Sequence, residues 1–264
     1  MNKTTRWIVI LALAAAVILF FLPKKQPPEQ QVVIPRQEST QDKTEPLTRF
    51  PVPEAGAPAP TEPAKPLPSL KESDAAIQES LGQLADPNQL GQLLILKNII
   101  NRFVVTIDNL PRAKLPLRNL PDVPPPGKFL VKKTEQGVII DPENYKRYTG
   151  YVQFFTSMDS QKIVSVYSRF YPLFQEAYSD LGYKSAYFND RLIAAIDDLL
   201  AAPEVKGPVQ LVQPSVFYKY ADPRLESLSA GQKIMVRIGN DNAAKVKAKL
   251  QELRQALTQR KTDK

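Results

Sequence analysis

The stretch DPNQLGQLLILKNIINRFVVTIDN, residues 86–109, determines the fold class of this chain. Asp86 followed by Pro87 is a pair that begins many helices, because Asp caps free amide groups and proline tolerates the first helical position. Apolar side chains then recur at helical spacing. They are Leu90, Leu93, Leu94, Ile100, Val104 and Ile107, with Leu96, Ile99 and Phe103 beside them. The pattern predicts one long helix over residues 86–109 at the centre of a helical core.

The same kind of pattern predicts further helices on both sides. They cover residues 73–85, 159–181, 189–201, 223–228, 230–238 and 241–260, with a kink or restart at Pro172. The last helix has the most regular pattern, an apolar seam of Ala243, Val246, Leu250, Leu253 and Leu257 at steps of three and four. This seam predicts docking on the core of its own domain, with a coiled-coil partner or an anionic surface as alternatives.

Two pairs of short segments are predicted to form β-hairpins. In FLVKKTEQGVII, residues 129–140, two short segments flank a turn at 135–137, and VQLV at 209–212 precedes SVFYKY at 215–220. Residues 111–127 are rich in proline and predict an irregular surface connection. The predicted fold class is therefore mainly α with small β-hairpins, α+β, in one helical globular domain over residues 70–264.

The N-terminal residues 1–25 predict a transmembrane anchor. No residue from Trp7 to Leu22 is polar, and cationic residues flank this run on both sides. Sixteen helical residues span roughly 24 Å, and long cationic side chains can extend to the headgroups. A cleaved signal peptide is the alternative, but its only small-residue pair, Ala14 and Ala16, would leave too short an apolar region. The charge bias favours a cytoplasmic N-terminus and a periplasmic domain.

Residues 26–69 predict a Pro-rich disordered linker. Twelve of the 25 prolines lie between residues 23 and 69, and no apolar periodicity accompanies them. Such a composition cannot bury a core. The linker reads as an inert tether that holds the domain away from the membrane, with a PxxP ligand for a partner groove as the alternative.

Missing residue types restrict the chemistry of the whole chain. The sequence has no His and no Cys, which excludes Ser-His-Asp and Cys-His nucleophiles and His or thiolate metal sites. No SxxK dyad, GxSxG elbow, Walker loop or GxGxxG turn is present. A carboxylate is the remaining catalytic possibility, and the best candidate is Glu176 among Tyr171, Phe174 and Tyr178, where an apolar wall would favour a general acid. We predict no metal and no cofactor.

Several ordered strings resemble one known family. They are RFVVTIDNL at 102–110, YKRY at 145–148, YPLFQEAYSDLGY at 171–183, FNDRLIAAIDDLL at 188–200 and YKYADPRLESLSAGQKIMVRIG at 218–239. Together they resemble the domain-of-unknown-function 3014 family of Gram-negative bacteria. The resemblance implies an anchor, a spacer and a domain in the bacterial envelope, and it implies no catalytic residue.

The polar and aromatic residues of these strings and of their surroundings are the candidate binding residues. They are Arg102, Asp108, Asn109, Tyr145, Arg147, Tyr148, Asp222 and Glu226. Charged residues at element ends usually cap helices or pair with one another, so a structural role competes with a shared binding groove. Tyr145 and Tyr148 are expected to form an exposed pair, whereas Tyr167, Tyr171 and Tyr178 have the spacing of a core stripe.

These observations favour a binding protein of the cell envelope. We expect a single-pass inner-membrane protein, inserted through residues 7–22, whose periplasmic domain binds or scaffolds an envelope protein or peptidoglycan. The alternatives are a carboxylate-dependent peptidoglycan-cleaving enzyme that uses Glu176 and a force or signal transducer. Nucleic acid is not expected as a partner outside the cytoplasm.

Overall fold

The computed structural model describes residues 48–53 and 66–258. The helices in this part of the chain are α1 (Asp74–Leu81), α2 (Pro87–Leu93), α3 (Ile99–Asn109), α4 (Glu143–Ser157), α5 (Ser160–Asp180), α6 (Phe188–Leu200), α7 (Pro223–Glu226), α8 (Ala230–Arg237) and α9 (Asn240–Thr258). The strands are β1 (Val131–Thr134), β2 (Gly137–Ile140), β3 (Gln210–Val212) and β4 (Lys219–Tyr220). The predicted class, mainly helical with a small antiparallel sheet, is confirmed.

The main core lies between α3, α5, α6 and α9. Phe170, Phe188 and Ile193 are fully buried there, and the rings of Phe174 and Phe188 stack with centroids 5.8 Å apart. The seam of α9 packs into this core, where Leu250, Leu253 and Leu257 are buried. The last helix therefore docks on its own domain.

The predicted long helix over residues 86–109 is two helices, α2 and α3, so that prediction was wrong. Leu94 has extended backbone and forms an antiparallel bridge with Asp122, and the amide of Ile95 donates to Pro121 O at 2.7 Å. Asn98 then takes a left-handed conformation (φ 53°) before α3 begins. Pairing with a distant segment outcompetes the local helical pattern, because it satisfies the same backbone groups.

The strands form one sheet in the order β1-β2-β3-β4, with every neighbouring pair antiparallel. The two predicted hairpins are therefore joined, since β2 pairs with β3 through Val138 and Leu211. Only Lys219 and Tyr220 of the predicted strand 215–220 are in the sheet. One face packs on α8 through a second core cluster of Ile140, Val209, Leu211, Tyr220 and Val236.

Two helices differ from their sequence predictions. α4 was not predicted, because its YKRYTGYVQFF sequence mixes aromatic residues with Gly150 and lacks a simple apolar stripe. α5 continues without a restart through Pro172. The proline is exposed, and its ring lies on the solvent side of the helix.

Residues 48–53, which we call the strap, pack on α6. The amides of Arg49 and Phe50 donate to the carboxylate of Asp190 at 3.2 and 2.8 Å, and Asn189 donates its side-chain amide to Phe50 O at 2.9 Å. Phe50 and Val52 contact the main core. Within the linker predicted over residues 26–69, Phe50, Val52 and Leu67 thus pack against the domain.

The predicted transmembrane helix of residues 7–22 lies outside the described residues. Within residues 48–53 and 66–258, no helix is both long enough and apolar enough to cross a membrane.

Candidate functional site

Asp108 is the centre of a buried charge cluster. Its carboxylate, at the end of α3, accepts hydrogen bonds from Arg112 at 2.9 Å, from Arg191 Nε at 3.1 Å and from the Tyr183 hydroxyl at 3.4 Å. Arg191 also donates to the carbonyl oxygen of Asp108. The hydrogen bond that Arg112 donates to Asp108 raises the pKa of the Arg112 guanidinium. Because all these groups satisfy one another, the cluster joins α3 to α6 and offers little to a ligand.

Arg102 and Asn109 also make contacts within the domain. The guanidinium of Arg102 donates to the carbonyl oxygens of Lys97, Arg118 and Leu120 at 2.9 to 3.0 Å. It therefore holds the 117–120 segment against α3. The side-chain amide of Asn109 donates to Val105 O at 2.8 Å within the same helix. The structure does not bring these two residues and Asp108 into one groove.

Arg147 fastens the proline-rich connection to α4. Its Nη2 donates to three successive carbonyl oxygens in residues 125–127 at 3.0 to 3.3 Å, and its Nη1 donates to Asn144 Oδ1 at 2.9 Å. The Tyr151 hydroxyl donates to Val123 O at 2.7 Å. A segment with three successive prolines offers carbonyl oxygens but no amide donors, so an arginine is a suitable partner.

Tyr145 and Tyr148 are half-buried, so the prediction of an exposed pair was wrong. Tyr145 packs beside Gly239 and the sheet, and burial raises the pKa of its hydroxyl. Its carbonyl oxygen accepts from Asn242 at 3.0 Å. Tyr148 packs against the small cluster around Met235. One turn of α4 thus carries two rings into different parts of the core.

Asp222 and Glu226 organise the chain after β4. Asp222 caps α7 by accepting from the amide of Arg224 at 2.8 Å, and the side-chain hydrogen bond from Arg224 lowers its pKa. Glu226 accepts from the amide of Tyr220 at 3.0 Å and lies 3.5 Å from Lys233 Nζ. Both carboxylates therefore stabilise the local conformation of the chain that follows β4.

Glu176 is exposed on α5. Its neighbours Phe174 and Tyr178 face the core, on the opposite side of the helix from the carboxylate. The apolar wall expected around Glu176 therefore does not surround it. Asp180, one turn further, is also exposed.

A concave site lies where the first turns of α4 and α9 meet. It is a cavity of about 470 Å³, within the usual size of small-ligand pockets, roughly 300–1,000 Å³. Val205, Val209 and Ile238 supply apolar walls. Its polar and aromatic lining residues are Tyr145, Lys146, Thr149, Asn240, Asp241, Asn242 and Lys245. Of the predicted binding residues, Tyr145 is the one that lines this cavity.

Asp241 is the single carboxylate among the lining residues of the cavity, whereas most glycosidases use a pair of carboxylates. Among the described residues, no group of three or more carboxylates could hold a metal ion. The cavity combines an apolar wall with two lysines at its edge, which suits a small ligand that carries a carboxylate.

The domain so defined is a mainly helical α+β unit with a small sheet and a concave site that lacks catalytic pairs. The chain belongs to the family described as Protein of unknown function (DUF3014), which matches residues 99–254. Searches among curated proteins and among solved structures returned no match.

Sequence reasoning missed Lys146, Asn240, Asp241 and Lys245 as cavity residues. The cavity forms only when α4 meets the α8–α9 junction, and α4 itself was not predicted. Gly239 is the sequence feature that could have indicated this site, because a glycine between two helical patterns marks a sharp change in chain direction.

Proposed function

We propose that this protein is a single-pass inner-membrane protein whose periplasmic domain binds the acidic stem peptides of peptidoglycan. The observation that carries the proposal is the cavity lined by Tyr145, with Lys146 and Lys245 at its edge and a single carboxylate. The predicted anchor and linker support the location in the envelope. The domain would then act as a binding module that connects the membrane to the cell wall.

Ligand chemistry follows from the lining residues. Stem peptides carry free carboxylates, which the exposed ammonium group of Lys245 can pair with. Their short aliphatic side chains match the walls formed by Val205, Val209 and Ile238. Lys146 is already 2.7 Å from Glu143, so Lys245 is the main expected contact.

Detergent-insoluble sacculi provide the test. We expect the full chain in detergent to co-sediment with sacculi, and Lys245→Glu to lower the bound fraction severalfold. Lys162→Glu, an exposed change on α5, is the matched control and should bind like the wild type. Equal binding of both variants and the wild type would contradict the cavity as the site.

The same incubation tests the enzymatic alternative. Soluble muropeptides should not be released, because Glu176 is exposed and lacks the apolar surroundings that would make it a general acid. Release that stops in a folded Glu176→Gln variant would replace the binding proposal with a carboxylate-dependent hydrolase.

A further inference from the structure

The connection between β3 and β4, residues 213–218, presents apolar side chains to water. We call it the β3–β4 loop. Val216 is 68 % exposed and Phe217 is 64 % exposed, and Val212, at the start of the loop, is 46 % exposed. Single exposed apolar residues are ordinary, but a contiguous group at the tip of a loop indicates a contact surface.

The exposure of this loop is built into the fold. Its last residue, Tyr218, turns inward and packs on Phe129 with ring centroids 6.3 Å apart. The side-chain amide of Gln213 donates to Val216 O at 3.3 Å and closes the loop. The loop is thus fixed at both ends while Val216 and Phe217 point outward.

Strand register places lysines at the same end of the sheet. Lys219 pairs with Val212 at the base of the loop. Val138 pairs with Leu211, so the β1–β2 turn lies beside the β3–β4 loop and brings Lys133 close to it. Lys128 and Lys206 precede β1 and β3 and lie at the opposite end of the sheet, so Lys133 and Lys219 are the lysines that the register places beside the loop. Glu135, in the β1–β2 turn, is a carboxylate at the same end.

We infer that the β3–β4 loop is a membrane-contact site, which inserts Val216 and Phe217 into the headgroup region of an anionic lipid bilayer. The lysines around it then pair with lipid phosphates. This combination of an apolar tip and a cationic border matches an anionic interface, which takes up apolar side chains and attracts cations within a Debye length.

A bilayer fits the shape of this surface better than a protein partner does. The apolar part consists of two adjacent, exposed side chains on a short loop. A protein would need a matching pocket, whereas a fluid headgroup layer adapts to the tip. The site is distinct from the cavity beside Tyr145, so either proposal can fail without the other.

The test uses the full chain in lipid vesicles. Because the sequence has no Cys, Ser215→Cys creates a single labelling position inside the loop while keeping Val216 and Phe217. An environment-sensitive fluorophore there should shift to the blue, and lipid-borne quenchers should reduce its emission. Both effects should occur in phosphatidylglycerol–phosphatidylethanolamine vesicles and be much weaker in phosphatidylcholine. A label at Ser185→Cys, exposed between α5 and α6, should show neither effect.

Variants separate the apolar contribution from the charge contribution. Phe217→Ala should reduce the fraction of loops bound to lipid about tenfold or more, because the variant no longer transfers an aromatic ring from water into the bilayer. Glu135→Lys should increase it and Lys219→Glu should reduce it, each about fivefold or more. Leu117→Ala, at a 73 % exposed leucine beside α3, and Lys184→Glu are matched controls and should change nothing.

Three results would overturn the inference. A shift of equal size in phosphatidylcholine would show that anionic lipid is not recognised. A shift that grows with protein density in the vesicle would show that a second copy covers the loop. The absence of a fluorescence shift in both lipids would indicate that an acidic protein surface, and not a bilayer, covers the loop.

Discussion

The ring of Tyr145 fills the space that a side chain on Gly239 would need. A Cβ atom built on Gly239 would lie 2.7 Å from Cγ of Tyr145, closer than carbon atoms pack in proteins. Gly239 also has a φ of 84°, a conformation that other residues adopt at a cost. The turn between α8 and α9, and with it one side of the cavity, therefore depends on a glycine at this position.

Gly239→Ala should lower the free energy of unfolding by about 3 kcal/mol or more, because backbone strain and overpacking both act. Gly182→Ala is the matched control. Gly182 has a φ of 105° but nothing within 4 Å of its Cβ position, so this variant should lose only about 1 to 2 kcal/mol. Urea unfolding followed by circular dichroism measures both. Equal losses would mean that the contact with Tyr145 is unimportant.

Asp108→Asn should destabilise the domain by about 3 kcal/mol, because the largely buried Arg191 loses the buried carboxylate that it shares with the half-exposed Arg112. Asp197→Asn, in the exposed pair with Arg254, should cost about 1 kcal/mol at most. Thermal and urea unfolding of the two variants give the comparison. A similar small loss in both would show that the buried cluster is energetically like a surface pair.

Local sequence patterns predicted helices well where tertiary contacts agree with them. The seam of α9 is an example, since its regular spacing of leucines and its burial coincide. The predicted cap was informative as well, because Asp86 accepts hydrogen bonds from the amides of Asn88 and Gln89 at the start of α2. Each of these signals acts within a few residues and is visible in the sequence.

Other features depend on contacts between distant segments. The break at Leu94 arises from its bridge to Asp122, and the single sheet arises from the pairing of β2 with β3 across about 70 residues. The contacts of the candidate binding residues also depend on distant segments. Arg147 and Asp108 were candidate binding residues, and the structure shows that both contact other parts of the domain, partners that could not be predicted from sequence spacing.

Leu253→Ala should lower the free energy of unfolding by about 2 to 5 kcal/mol, the range for truncating a buried leucine. Leu253 is 7 % exposed in the main core. Gln251→Ala, on the exposed face of the same helix, should have little effect. Chemical unfolding tests both variants. Unchanged stability of Leu253→Ala together with loss of self-association would instead assign the seam to an interface.

Tyr220 should make the domain sensitive to alkaline pH. Burial raises the pKa of its hydroxyl to about 12, above the usual value of 10.0, so the folded state favours the neutral phenol. Its contribution to stability is complete below pH 10 and is lost as the pH rises from about 10 to 12. Between pH 9 and pH 11, the free energy of unfolding should decrease more for the wild type than for Tyr220→Phe. Parallel profiles would contradict this assignment.

The strap changes the distance that the domain can reach. A tether over residues 26–69 would give 44 freely extensible residues, about 135 Å at ~3.1 Å each. Because Phe50 is fixed on α6, only residues 26–47 of the predicted linker would add to this reach, which would limit it to about 70 Å. A force applied along the N-terminal chain would be transmitted to Asp190, at the start of α6. A load on this protein would therefore be carried first by the strap's hydrogen bonds, and their rupture would roughly double the working length.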